Sequence, residues 1–238
     1  MTGAERLTHD PKGRGVGMEI EDAEDAGLAR QARKRDPEET QRRILDAAER
    51  AFALRGFGGA RLRYIAQQAG VHHSLVHHYY GDKQGLLAEV IERGLARVPS
   101  TGLETLAHAA DLESVTRVSV GMLYDFCAHN QDLLRIIEGA LRDRSSVAHD
   151  VTADALGSLA GPLTRTLKGH IERGQHIGQV RKDISPESLM LRGIGAVPYR
   201  FFTAEDLLRA TGITTGAELD ESLEREQTVQ YVLRAMRV

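Results

Sequence analysis

From Ile44 onward, apolar residues recur three or four apart. Ile44, Leu45, Ala48, Ala51 and Phe52 share one helical face, while Arg42, Arg43, Asp46, Glu49 and Arg50 fill the other. The helix is predicted to begin near Pro37. Asp36 can accept from the first free amides, Pro37 suits the first helical position, and Glu39 sits where a capping box closes. Gly56 ends the helix, and Phe57 folds back onto its apolar side. Leu62, Ile65, Ala66 and Ala69 form a second short stripe closed by Gly70, which lets the chain turn sharply between two helices. A third helix follows from about His72 to Tyr80, with Val76 and Tyr80 inward, helped by Leu75 or Tyr79. His73, Ser74, His77 and His78 are left to solvent or to a groove. Asp82 and Lys83 start a fourth helix buried through Leu86, Leu87, Val90, Ile91, Leu95 and Val98. Three or four helices between Gln41 and Ile91, turning at Ala69-Gly70-Val71, outline a helix-turn-helix over about residues 61–80. DNA binding is therefore the first hypothesis.

Beyond Pro99-Ser100-Thr101-Gly102 the pattern stays helical almost to the end, and no segment alternates with period two over a strand's length. Val115, Val118, Met122, Leu123 and Phe126 form one stripe, and Leu133, Leu134, Ile136, Ile137 and Leu141 another. A long helical region between Val147 and Ile177 carries Leu156, Leu159, Leu163, Leu167 and Ile171, with a kink expected at Gly161-Pro162. Ser185 and Pro186 open the next helix, which Pro198 disturbs. Leu219, Leu223, Val229, Val232, Leu233 and Met236 make the last. The predicted fold is all-α, organised as a charged arm over 1–36, a DNA-binding unit over 37–98 and a larger helical body over 99–238. The arm is rich in Gly and charge, and its basic cluster Arg30, Arg33, Lys34 and Arg35 either follows DNA or serves solubility alone.

Composition narrows the class. With 238 residues, 41% hydrophobic and 27% charged, the chain has the make-up of an ordinary soluble protein of one large or two modest domains. No run reaches membrane-spanning length, since even Gly193 to Phe202 is interrupted by Pro198 and Arg200, and the amino terminus lacks a signal peptide's apolar stretch. The single cysteine, Cys127, excludes a disulfide framework, and a reducing cytoplasm fits best. The net charge of −3 conceals a division along the chain. Between Arg30 and Lys83 there are 11 Lys and Arg against 6 Asp and Glu, whereas the remainder carries 20 against 28. A basic module on an acidic body suits a protein that meets phosphate at one end.

Four ordered segments sharpen this reading: Ile44-Leu45-Asp46-Ala47-Ala48, Gly56-Phe57, Ile65-Ala66-Gln67-Gln68-Ala69-Gly70-Val71 and Lys83-Gln84-Gly85-Leu86-Leu87. Their order and spacing closely resemble the amino-terminal domain of the TetR family of bacterial transcriptional regulators, over roughly residues 38–98. A looser match runs from Gly178 to Glu187 and resembles the family's lead-in to its dimerisation helices. The resemblance implies a ligand-responsive repressor that binds a palindromic double-stranded operator as a homodimer. Its dimer helices would lie at about residues 186–202 and 219–236, although intrachain core accounts for the same apolar stripes. It further implies base contacts from His73 and Ser74, with Leu75 or Tyr79 against a thymine methyl or the sugar. Arg61, Arg63, His77 and Lys83 would hold phosphate, helped by the helix amino terminus at Lys83. The chain departs from the family in having Ala60-Arg61 where a Thr-Ser pair is common, His72 where a Ser cap is common, and His77 where a Tyr often grips phosphate. A His cap is expected to weaken the helix start by about 1 kcal/mol. An unidentified small-molecule effector would occupy the body, where Met122, Phe126, Ile137, Met190 and Tyr199 could line a cavity, joined by Cys127 and Phe201.

Other classes find less support. An enzyme would need a nucleophile, an acid-base pair or a phosphate loop on a strand framework, and the sequence offers none. The histidines at 72, 73, 77 and 78 lack a carboxylate or cysteine at ligand spacing, so neither a metal nor another cofactor is expected. The remaining alternative keeps the fold and drops the DNA: a helical dimer that binds small molecules or proteins, with a degenerate reading head.

Overall fold

A computed structural model of the chain describes residues 36–109, 111–202, 210–212 and 220–238. These residues form ten helices and no strand, the one β contact being an isolated bridge between Val180 and Arg237. The charged arm expected over 1–36 lies outside the described residues except for Asp36, as does Leu219.

In the segment up to Arg42, helix α1 (Pro37–Gly59) starts where Asp36 Oδ1 accepts from the Glu38 amide at 3.0 Å. The Glu39 carboxylate holds the Arg42 guanidinium through bonds of 2.8 and 2.7 Å. Further along, Gly56 breaks α1 with φ 64° and ψ 173°, a left-handed φ that glycine adopts without steric cost. This break turns Phe57 back onto Phe52, with ring centres 6.0 Å apart.

Helix α2 (Leu62–Ala69) ends at Gly70, whose left-handed φ of 63° lets the amide of Val71 return to the Ala66 carbonyl at 3.0 Å. Helices α3 (His73–Tyr80) and α4 (Lys83–Leu95) follow, the latter capped by Asp82 Oδ1, which accepts from the Gln84 and Gly85 amides at 2.9 Å each. Ile44, Phe52, Ile65, Leu86, Leu87 and Ile91 are fully buried in one core, each burial worth about 1.5–3 kcal/mol. Only Val76 among the residues of α3 is fully buried. An eight-residue helix is marginal alone, so packing against α2 and α4 fixes it and leaves its remaining surface outward.

The helices that follow are α5 (Ser100–His108), α6 (Leu112–His129), α7 (Gln131–Arg142), α8 (Val147–His176), α9 (Pro186–Phe202) and α10 (Glu221–Met236). The first core continues into Leu133, Ile136 and Ala140 of α7 and into Ala148 and Ala155 of α8. A second core joins Tyr124 and Cys127 of α6 with Leu134, Ile171, Leu189, Val197, Val229, Val232, Leu233 and Met236. Helix α7 therefore serves both cores, through adjacent residues Leu133 and Leu134. The buried side of α6 also differs from the expected stripe. Val115, Thr116, Val120, Tyr124 and Cys127 are buried, whereas Val118, Met122, Leu123 and Phe126 are half-buried. Helices α5, α8, α9 and α10 all pack on α6, so no single apolar side determines its rotation. Helix α8 continues through Pro162 and α9 through Pro198. Between α8 and α9, the Gln175 side-chain amide donates to the carbonyls of Arg181 and Ile184, both at 2.9 Å, and fixes the loop leading into α9.

Candidate nucleic-acid interface

The exposed surface of α3 carries His73, Ser74, His77 and His78, with Leu75 and Tyr79 half-buried beside them. Arg61, at the amino-terminal cap of α2, and Arg63 in its first turn are exposed nearby in sequence. The turn that sets α3 against α2 is held from α1, because an Arg43 guanidinium nitrogen donates to the Ala69 carbonyl. A Cβ added at Gly70 would lie 2.5 Å from that nitrogen, so a side chain here would disturb the clamp as well as the left-handed turn.

Local bonds engage several of these side chains. His72 caps α3 after all: its Nδ1 accepts from the Ser74 amide at 3.4 Å and lies 2.8 Å from the Ser74 hydroxyl. The imidazole nitrogen supplies the acceptor that a serine oxygen commonly provides, though the amide bond is long. His77 Nδ1 lies 2.7 Å from the Gly81 carbonyl and donates to it, so Nε2 remains directed away from that bond. Lys83 is drawn inward, with Nζ 3.4 Å from the Gly58 carbonyl and 4.5 Å above the Phe57 ring centre. Burial pulls its ammonium below the ordinary lysine value. Reaching a phosphate would require this side chain to leave the Phe57 face.

One open cleft of about 700 Å³ lies between α2 and α3, lined by Arg63, Ala66, Gln67, Val71, His72 and His73. It unites two of the sequence-derived candidates, Arg63 and His73, with Gln67, which the motif reading passes over. Spacing alone could have indicated Gln67, because it follows Arg63 by one helical turn and shares its face. His72 and His73 stack with ring centres 4.4 Å apart, and His73 meets His77 edge-on at 6.4 Å. Among the described residues, no group of three His, Cys, Asp or Glu side chains is arranged to hold a metal.

The five residues considered for an effector cavity are dispersed. Ile137 packs on the first core, Met190 on the second and Phe126 on both. Met122 faces Gly102 of α5, and Tyr199 is 54% exposed on α9. Cys127 is buried in the second core, where desolvation pushes its thiol up to about 12 and leaves it protonated near neutral pH. No helix among the described residues is long and apolar enough to cross a membrane.

Residues 44–90 match the model for bacterial regulatory proteins of the tetR family. The chain is 27% identical to the HTH-type transcriptional repressor NicS of Pseudomonas putida over 64% of this chain and 71% of that protein. It is 32% identical to the HTH-type transcriptional repressor SCO4008 of Streptomyces coelicolor over 49% of this chain and 58% of that protein. The fold is similar to that of the transcriptional regulator FadR from Bacillus subtilis, solved in complex with stearoyl-CoA. That likeness has a TM-score of 0.63 at 15% identity and covers 81% of this chain and 97% of FadR.

Proposed function

We infer that this chain is a regulator of the TetR type, a ligand-responsive repressor that binds a palindromic DNA operator as a homodimer. The exposed surface of α3 carries the argument: a short helix held by its neighbours presents His73, Ser74 and His77 outward, with Tyr79 half-buried beside them, next to the basic opening of α2. In this reading His73 and Ser74 meet base edges, and Leu75 or Tyr79 meets a thymine methyl or sugar. Arg61, Arg63 and His77 hold phosphates, and Lys83 joins them once it leaves Phe57.

Exposed Leu191 and Tyr199 on α9 and Leu223 and Tyr231 on α10 support dimerisation through these two helices. A dimer would place two copies of α3 at a fixed separation for two half-sites. The stearoyl-CoA held by FadR supports a small-molecule effector in the helical body. Its binding would change the spacing of the paired recognition helices and weaken operator affinity by coupling the two sites.

Salt titration of full-length protein on its own upstream DNA tests the proposal. Log affinity should fall steeply and linearly with log salt, and a specific fragment should outcompete random duplex. Equal affinity for specific and random duplex would instead favour a helical dimer with a degenerate reading head.

A further inference from the structure

Resting on the DNA-reading function inferred above, we propose that Gln67 of α2 is a specificity-determining residue that reads an adenine through the cleft between α2 and α3. The structure separates the polar side chains of the reading head into two groups. Ser74 is bonded to His72, His77 to the Gly81 carbonyl and Lys83 to the Gly58 carbonyl. Arg43 is committed to the Ala69 carbonyl. Arg63 and Gln67, in contrast, are exposed and line the same cleft together with His73, and the side chains of these three make no hydrogen bond among the described residues. Arg63 and Gln67 are one helical turn apart on α2 and line the cleft with His72 and His73 at the start of α3.

The chemistry of the cleft distinguishes their roles. Its apolar part comes from Ala66 and Val71, and its polar edge from the Gln67 amide, the Arg63 cation and the rings of His72 and His73. A primary amide offers one donor face and one acceptor side by side, the complement of adenine N7 and N6 in the major groove. The Val71 methyls beside it suit the C5 methyl of the paired thymine. Arg63 carries the charge that a neighbouring phosphate needs and fixes register rather than sequence. Gln67 carries no charge, so its contribution is selectivity and not salt-dependent attraction.

Selection from a randomised duplex library, with full-length protein and the Gln67→Ala and Gln67→Arg variants in parallel, tests the assignment. The wild-type protein should require adenine at one symmetry-related position in each half-site, preferring it about five- to a hundredfold over other bases. Gln67→Ala should lose that preference while retaining those at other positions, and Gln67→Arg should move it to guanine. Both changes lie on an exposed helical surface, so thermal unfolding midpoints should match wild type. Variants that keep the wild-type preference at every position and merely bind more weakly would make Gln67 a backbone contact and overturn the assignment. A wild-type protein with no sequence preference would instead overturn the DNA-reading function itself.

Discussion

Arg97, just beyond α4, donates to both carboxylate oxygens of Glu49 on α1, at 2.9 and 2.7 Å. Its Nη1 also reaches Asn130 Oδ1 at 2.9 Å, and the Asn130 amide donates to the Phe126 carbonyl at 2.8 Å. Arg93 joins from α4, contacting Glu49 and Asp46 at 2.7 Å each. A continuous polar chain thus connects the polar face of α1 with the junction of α6 and α7. Any repositioning of that junction must break, stretch or carry along the Arg97 contacts.

The same network makes an acid-sensitive contribution to stability. Burial alone would raise the Glu49 carboxyl, but the hydrogen bonds and charges of Arg97 and Arg93 outweigh it and hold the group below its ordinary value. A depressed carboxyl stabilises the fold fully above its unfolded value and loses that contribution as pH falls through the folded one. Glu49→Gln should lower unfolding free energy by about 1–2 kcal/mol at neutral pH. Denaturant unfolding should show the gap to wild type narrowing below about pH 4.3, the ordinary glutamate value. A constant gap down to pH 3 would contradict this account of Glu49.

Packing between α4 and α7 leaves no room at Gly94. A Cβ there would lie 2.5 and 2.7 Å from the two terminal carbons of Leu133, itself fully buried. Gly94→Ala should destabilise by about 1–3 kcal/mol through overpacking. In a Leu133→Ala background the same change should cost less, because the obstructing side chain is gone. A double-mutant cycle measures the coupling, and strict additivity would show that the two positions do not oppose each other.

Thr152 of α8 presents the reverse case. It is 0% exposed, and its hydroxyl has no hydrogen-bond partner among the described residues. A buried unsatisfied hydroxyl opposes folding, so the near-isosteric Thr152→Val should be neutral or stabilising by up to about 1 kcal/mol. A clear loss of stability in chemical denaturation would mean that the hydroxyl has a partner.

His77 is the phosphate contact proposed for α3. With Nδ1–H directed at the Gly81 carbonyl, Nε2 is left for a phosphate oxygen. His77→Ala should weaken binding similarly for all duplexes at fixed salt. An unchanged affinity would exclude the His77 phosphate contact.

Replacing Arg63 should weaken binding similarly for all duplexes and reduce the salt slope by about 1, as expected for the loss of one phosphate contact. Fluorescence anisotropy over a salt series with Arg63→Ala measures both quantities. An unchanged slope would place Arg63 off the DNA backbone.

Much of this molecule is local and therefore readable along the chain. The stripe through Ile44, Ala48, Ala51 and Phe52, the left-handed turn at Gly70 and the caps at Asp36 and Asp82 follow from helical periodicity and from which residues satisfy free amides within a few positions. These features identify the all-α class and place the helix-turn-helix. Tertiary structure decided what periodicity leaves open. Helix α6 meets neighbours on several sides, so its apolar positions do not choose its rotation, and Tyr124 and Cys127 point inward while Met122 and Phe126 lie at the margin. Lys83 is turned onto Phe57 by residues more than twenty positions away, and Arg97 finds Glu49 on α1 and Asn130 at the junction of α6 and α7. The α2–α3 cleft that gathers Arg63, Gln67 and His73 depends on the angle set by Gly70 and held by Arg43. A repeat along one helix encodes which side is apolar, whereas the choice of partner for each polar group depends on which other helices come within hydrogen-bonding reach.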